Sequence, residues 1–374
     1  MVFSSEGTNR AFKMTDLLRE NDGIMKEYLF AFLFAILCIT GCGGDKGHED
    51  DNSSDGGSNI NGKDADGGSI SNGGDAVAGG NDAGSGVPGD PDPRYYEERV
   101  VNYLTNCVRA EPSFFNEHWA SRDTVAPSPS YPLHHHDELH GAARFHAEHI
   151  YHDCTLCQDH SSCCELGLVD GQVECVGPLG GCGGTSWIDR IRFWYDHPSG
   201  ENAASGQLSP EMAIYSWVIS LGHYNNMNGS SHTLLGVGYC NHRWVQNFGT
   251  GAAPDTPFAE GIHYRKVIIE DHDSYQIIKL DPSNNRIFGI TYYDPGMGPP
   301  DEIYVLLDGV RYDLENVYGT EDHGAYETMI ELGQGCFPYV FHLTDSVGAK
   351  YAYPVNGHLN TSLEMSDDCP VYVP

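Results

Sequence analysis

The residues with the most chemistry are histidines and cysteines, and they concentrate in one stretch. His134-His135-His136 is followed by His140, His146, His149 and His152. His146 and His149 are three apart, as are His149 and His152, so one helical face could present imidazoles to a metal. The acid of an H-E-x-x-H pair is missing, and these histidines read as surface or packing residues. Cysteines follow: Cys154-x-x-Cys157, then Cys163-Cys164, Cys175 and Cys182. A Cys-x-x-Cys pair invites zinc-knuckle or redox readings. No second pair follows at finger spacing, and no thioredoxin-like βαβ pattern surrounds this one, so disulfides are the expected state.

The chain has twelve cysteines, and setting aside Cys38 and Cys42 leaves Cys107, Cys154, Cys157, Cys163, Cys164, Cys175, Cys182, Cys240, Cys336 and Cys369. An even set in an exported chain implies up to five bridges. Cys163 and Cys164 should take different partners, because a bridge between neighbours is strained. Cys336 and Cys369 lie in the last segment and are expected to pair.

Export is read from the N-terminus. Tyr28 to Thr40 is an apolar run, YLFAFLFAILCIT. It is shorter than the roughly 20 residues of a spanning helix and fits a signal-peptide core. Met25-Lys26 stands before it as a start and a positive flank, which makes Met25 the expected initiator. The run ends in Ile39-Thr40-Gly41-Cys42, similar to a bacterial lipobox, with Cys42 as the lipidated residue. Residues 43–92 are rich in Asp, Gly, Ser and Asn, with eleven acids and two lysines. Such a segment cannot bury a core and is expected to be a flexible tether. No Asp follows Cys42, so the outer membrane or cell surface of a bacterium is the expected location.

Composition excludes one class of partner. Asp and Glu number 53 against 20 Lys and Arg, a net charge of −33. A field of that sign repels phosphate backbones, so nucleic acid is not an expected ligand.

The elements that must position the chemistry begin near Pro93. Asp92-Pro93 is a helix start signal, and Tyr96, Val100, Leu104, Cys107 and Val108 recur at helical spacing. A second helix is expected over Asp137–His152. A third begins at Ser209-Pro210-Glu211, with an N-cap and an N1 proline. Two strands are expected, Leu234–Cys240 and Arg243–Phe248.

The order of motifs resembles a known family. Val101-Asn102 and Arg109 are followed by Pro132-Leu133, Leu139, Ala142-Ala143-Arg144 and His146-Ala147. Then come Asp159-His160-Ser161, Gly200-Glu201-Asn202-Ala203, Trp217, Gly222-His223-Tyr224-Asn225-Asn226-Met227, Gly236-Val237-Gly238-Tyr239 and Trp244-Val245-Gln246-Asn247-Phe248. This run resembles the CAP (SCP) domain, in its short bacterial form, over residues 94–249. The resemblance implies an α+β fold, a three-layer α-β-α sandwich with a central cleft over 93–249, carrying a Cys- and Gly-rich insertion at 153–199.

In that family two histidines and usually two acids build the cleft. The resemblance places His160 and His223 at the histidine positions and Glu201 at the acid of Gly-Glu-Asn. Ser220 stands where the second acid is usual, and His135 replaces the family tryptophan after Pro-Leu. Two imidazoles and a carboxylate are a plausible set for Zn²⁺ or another divalent metal with a position open to water; a hydrogen-bonded cluster that binds nothing is the other reading. The first expectation is a cleft that binds a ligand or partner (peptide, glycan or lipid). The alternative is a metal-dependent, protease-like hydrolase with Glu201 as base, or Ser220 or Ser161 as nucleophile beside a histidine.

Residues 250–262 read as a linker and 263–374 as a separate unit. Strands are expected at His263–Glu270, Gln276–Leu280, Ile287–Tyr293, Ile303–Leu307, Val310–Leu314, Glu327–Leu332, Tyr339–Leu343 and Lys350–Tyr353. Asp308-Gly309 marks a hairpin. Short, regularly spaced strands point to a β-sandwich. The string Tyr312…Gly324-x-Tyr326 before Cys336 is loosely similar to bacterial immunoglobulin-like modules.

Overall fold

A computed structural model of the chain describes residues 95–154, 160–179, 183–272, 275–294, 297–363 and 372–373. The leader, Cys38, Cys42, the tether, Asp92-Pro93, Cys157, Cys182 and Cys369 lie outside the described residues. Among the described residues no helix is long and apolar enough to cross a membrane.

The first helix, α1, spans Tyr96–Ala110. Its start is set by Glu98, whose carboxylate accepts the Tyr95 N–H at 2.8 Å, an N-terminal cap supplied from inside the first turn. Every residue from Glu98 to Ala110 is buried, as expected of a helix covered on all sides. Its polar side chains are therefore paired. Glu98 meets Arg144 at 2.8 Å, and Asn106 donates to the Leu133 carbonyl at 3.0 Å. The Arg109 guanidinium donates to the carbonyls of Tyr131, Met227 and Gly229.

A four-stranded sheet lies beside it, in the order β1 (His134–His135), β5 (Leu234–Cys240), β6 (Arg243–Gly249) and β4 (Pro198–Ser205). β1 runs parallel to β5, and the other pairs are antiparallel. Side chains alternate across β5. Leu235 and Val237 join the cluster that contains α1, whereas Gly236 and Gly238 face the helix α2, Asp137–His152. A Cβ on Gly236 would stand 2.1 Å from the Leu139 carbonyl carbon, and one on Gly238 2.2 Å from that of Ala143. The two glycines thus let α2 settle backbone to backbone on the sheet. Helices α3 (Trp187–Ile191), α4 (Pro210–Ile219) and α5 (Leu221–Met227) complete this α-β-α unit. Ser209 caps α4 by accepting the Met212 N–H at 3.3 Å.

The Cys-rich insertion forms a hairpin, β2 (Leu166–Val169) with β3 (Gln172–Cys175). Disulfides join Cys154 to Cys163 and Cys164 to Cys175, so the two adjacent cysteines do take different partners. Cys336 is also disulfide-bonded. The expectation fails for Cys107 and Cys240, which remain thiols. Cys107 faces Tyr103 and Glu327 in the core, while Cys240 ends β5 beside Tyr95 and Tyr239. Parity of the cysteine count takes no account of this separation.

The C-terminal region holds two larger antiparallel sheets. One orders β13 (Glu315–Thr320), β14 (His323–Glu331), β10 (Asn285–Tyr293) and β7 (Phe258–Tyr264). The other orders β12 (Val310–Asp313), β11 (Glu302–Leu307), β15 (Cys336–Thr344), β17 (His358–Ser362) and β18 (Tyr372–Val373), with β16 (Lys350–Tyr353) on β15. Their inner faces meet at Phe288 and Tyr339, ring centroids 5.1 Å apart. Asp308 and Gly309 both have positive φ, 49° and 76°, as a type I′ hairpin requires.

Three expectations change. The single strand expected at His263–Glu270 breaks at Arg265-Lys266, where the chain leaves the larger sheet for a separate hairpin of β8 (Val267–His272) and β9 (Tyr275–Leu280). The first strand starts at Phe258, inside the expected linker. The C-terminal sheets are also not a separately cored unit. A single apolar cluster runs from Trp217 and Val218 through Tyr103 and Leu104 to Phe288 and Phe341. α1 is its middle layer: Tyr103 and Tyr264 both donate to Glu327, at 2.9 and 2.8 Å. Gly289 makes room for the Tyr103 hydroxyl, which a Cβ there would approach to 2.1 Å.

Candidate binding cleft

Glu201 lies on β4, opposite Asn247 of β6. Its flanking residues explain the Gly-Glu-Asn string. A Cβ on Gly200 would stand 2.4 Å from the Asn226 amide oxygen. Asn226 donates to the Glu201 carbonyl at 2.9 Å and to the Asn202 side chain at 3.0 Å. Asn202 in turn donates to Gln246 at 3.0 Å and to the His223 carbonyl at 3.3 Å. Glycine allows the close approach, and the asparagine ties strand β4 to the start of α5, which carries His223.

The Glu201 carboxylate is buried and surrounded. Oε1 accepts from Nδ1 of His160 at 3.0 Å, and Nε2 of His146 lies 4.0 Å from the same oxygen. Oε2 accepts from the Arg190 guanidinium, and with the Asn247 amide turned to satisfy its neighbours, Asn247 donates to it at 2.9 Å. Burial opposes ionisation, but Arg190, His146 and His160 together outweigh it and hold the carboxyl at about 2. His223 faces His160 with ring centroids 6.4 Å apart. Burial, and then the neighbouring His160, lower His223 to about 4, so its ring is neutral at physiological pH.

His160 is the exposed member, its side chain 36 % accessible against 1 % for Glu201. Its backbone is held as well: the Arg190 guanidinium donates to the His160 carbonyl at 2.6 Å, and the Cys154–Cys163 disulfide closes the segment that carries it. The structure thus brings together all three residues assigned by resemblance. Ser220 precedes α5, where its carbonyl accepts the Tyr224 N–H at 2.9 Å, and among the described residues no hydrogen bond joins Ser220 or Ser161 to a histidine ring.

Two members of the site were not expected. Arg190 is fully buried against Glu201, and it lies in an insertion that offers no pattern. His146 is 1 % exposed, and among the described residues neither ring nitrogen has a hydrogen-bond partner. The α2 histidines are mostly interior rather than surface residues, since His140, His146 and His149 are all buried. His140 donates from Nδ1 to the Val237 carbonyl at 2.7 Å, while its Nε2 has no hydrogen-bond partner among the described residues and lies 3.9 Å from the Glu98 carboxylate. Among the described residues, the groups of three whose ligating atoms lie within 4.8 Å of one another centre on His149.

Residues 104–248 match the family model of the cysteine-rich secretory protein family, CAP. The chain therefore carries a CAP domain, and the cleft just described lies within it. A solved structure of an extracellular protein containing an SCP domain from Bacillus anthracis str. Ames is similar at 22% identity, with a TM-score of 0.26. That similarity covers 33% of this chain and 35% of the other, about a third of its length. No curated protein matches the chain.

Proposed function

We propose that this is an exported bacterial protein, lipid-anchored through Cys42 at the outer membrane or cell surface, whose CAP cleft binds a ligand on the paired imidazoles of His160 and His223. The leader, the Cys42 motif and the acidic tether support export and anchoring, and the disulfides fit an oxidising compartment. The ligand classes that suit the site are a peptide, a glycan or a lipid.

One observation carries the preference for binding over hydrolysis. Both oxygens of Glu201 are engaged, by His160, Arg190 and Asn247, and the carboxyl is held at about 2. A general base needs an available lone pair and a pKa near the working pH. Glu201 lacks that pKa, and its geometry is that of a carboxylate that fixes the tautomer and direction of an imidazole.

The donor set fits a divalent metal in part. His160, with Nδ1 turned to Glu201, and neutral His223 would hold an ion such as Zn²⁺ through imidazole nitrogen, and Glu201 would orient rather than ligate. When bound, the ion supplies Lewis acidity toward an anionic or carbonyl group of the ligand. Arrays of peptides, glycans and lipids probed with the parent and with H160A/H223A test the reading. Ligands retained only by the parent support it, and equal binding by both would remove the cleft from the account.

A further inference from the structure

The first turn of the insertion packs two disulfides around one buried imidazole. His149 is 4 % exposed, and Cys154, Cys163 and Cys164 are each 3 % exposed. Nε2 of His149 lies 3.9 Å from Sγ of Cys163 and 3.8 Å from Sγ of Cys164, one sulfur from each bridge. The ligating atoms of His149, Cys154 and Cys163 all lie within 4.8 Å of one another, as do those of His149, Cys164 and Cys175.

The other face of the ring is fixed. Nδ1 donates to the Asp153 carboxylate at 3.0 Å. The proton therefore sits on Nδ1, and the Nε2 lone pair is directed at sulfur. A disulfide sulfur carries no proton, so in the oxidised protein neither bridge donates to that lone pair. A carboxylate holding Nδ1–H so that Nε2 faces outward is the arrangement that prepares histidine for a metal. Distances agree. With Zn–S of about 2.3 Å and Zn–N of about 2.0 Å, tetrahedral coordination separates sulfur from nitrogen by about 3.5 Å. Both observed separations are within a few tenths of an ångström of that edge.

We propose that reduction converts this cluster into a thiolate site for a thiophilic divalent ion, Zn²⁺ being the best fit. His149 Nε2 and three of the thiolates of Cys154, Cys163, Cys164 and Cys175 are its ligands. Each disulfide takes two electrons and two protons from a dithiol reductant, which leaves as its own disulfide. Ion binding then displaces the thiol protons to solvent. Oxidation by a disulfide donor reverses both steps and releases the ion. Because His160 lies between Cys154 and Cys163 in the chain, the same exchange changes how the cleft histidine is tethered. The site stands independently of the ligand proposed for the cleft.

The test uses the full chain carrying H160A/H223A, so that the cleft adds no imidazole pair. Protein reduced by a phosphine, which goes to the phosphine oxide, is desalted without oxygen and titrated with Co²⁺ and then Zn²⁺. The expected result is one equivalent of cobalt with a thiolate-to-cobalt charge-transfer band, displaced by zinc and absent from the oxidised protein. Asp153→Asn, at a half-exposed position, should keep the band and weaken affinity about 10–100-fold. C163S/C164S should lose the band, and C157S/C182S should keep it. Reduced protein that binds no cobalt would overturn the proposal. So would a band that survives C163S/C164S, or an affinity that ignores both Asp153→Asn and His149→Gln.

Discussion

His160 donates from Nδ1 to Oε1 of Glu201 at 3.0 Å, while the other oxygen of that carboxylate is held by Arg190. The acid of the cleft is thus a hinge between a buried cation and an exposed imidazole. Removing it should strand Arg190, which is fully buried. Breaking a buried pair by deleting one partner costs about 3–5 kcal/mol. Glu201→Ala should lose that much in urea denaturation, and R190M/E201M should recover most of it. Equal losses in the single and double variants would mean the pair does not hold the cleft.

Backbone contact between β5 and α2 depends on two missing side chains. At Gly238 a Cβ would stand 2.2 Å from the Ala143 carbonyl carbon, and no side-chain rotation relieves a clash with backbone. Gly238→Ala should therefore cost at least the roughly 1–3 kcal/mol of an overpacked core, and should displace the helix that carries His146 and His149. A melting curve superimposable on the parent would contradict this packing.

The junction between α1 and the C-terminal sheets contains an acid tuned by burial. Burial raises Glu327 to about 7, against the hydrogen bonds of Tyr264 and Tyr103 that lower it. The fold then keeps a proton that the unfolded chain releases above its ordinary value of 4.5. Stability from this group is present below pH 4.5 and is lost as pH rises to about 7. The buried histidines act in the opposite direction, so the test is a difference. Glu327→Gln should gain on the parent between these limits, by on the order of 3 kcal/mol in all, and the gain should level off above pH 7. A pH-independent difference would refute it.

Thiol reactivity should separate two cysteines from the rest. In denaturant without reductant, alkylation followed by peptide mapping should label Cys107 and Cys240, and should leave Cys154, Cys163, Cys164, Cys175 and Cys336 unmodified. Without denaturant Cys107 should resist, since burial pushes its thiol well above the ordinary range. Labelling of Cys163 or Cys164 under oxidising conditions would show that the bridges around His149 are not formed.

Much of the CAP unit was legible because its signals are local. Periodicity locates Asp137–His152, and the Ser209-Pro210 signal marks the start of the helix Pro210–Ile219; in the C-terminal sheets Asp308-Gly309 sets its hairpin. The edge strand Glu315–Thr320 was missed because half-exposed polar residues give no alternation, and His358–Ser362 because its buried residues include Asn360 and Thr361. His160, Glu201 and His223 are 41 and 22 positions apart, so only resemblance joins them. Arg190 and His146 reach Glu201 through tertiary packing that no local pattern encodes. The shared core is hidden for the same reason. An apolar stripe on α1 reads alike whether one sheet or two cover the helix.

Calorimetric titration of Zn²⁺ into the oxidised protein, alongside H160A/H223A, tests the paired imidazoles most directly. In this state the cysteines around His149 are bridged and supply no thiolates. The account predicts about one equivalent bound by the parent and none by a folded double variant, with Glu201→Gln weakening affinity about 10–100-fold. No zinc uptake by the parent, or the same uptake by the double variant, would contradict it.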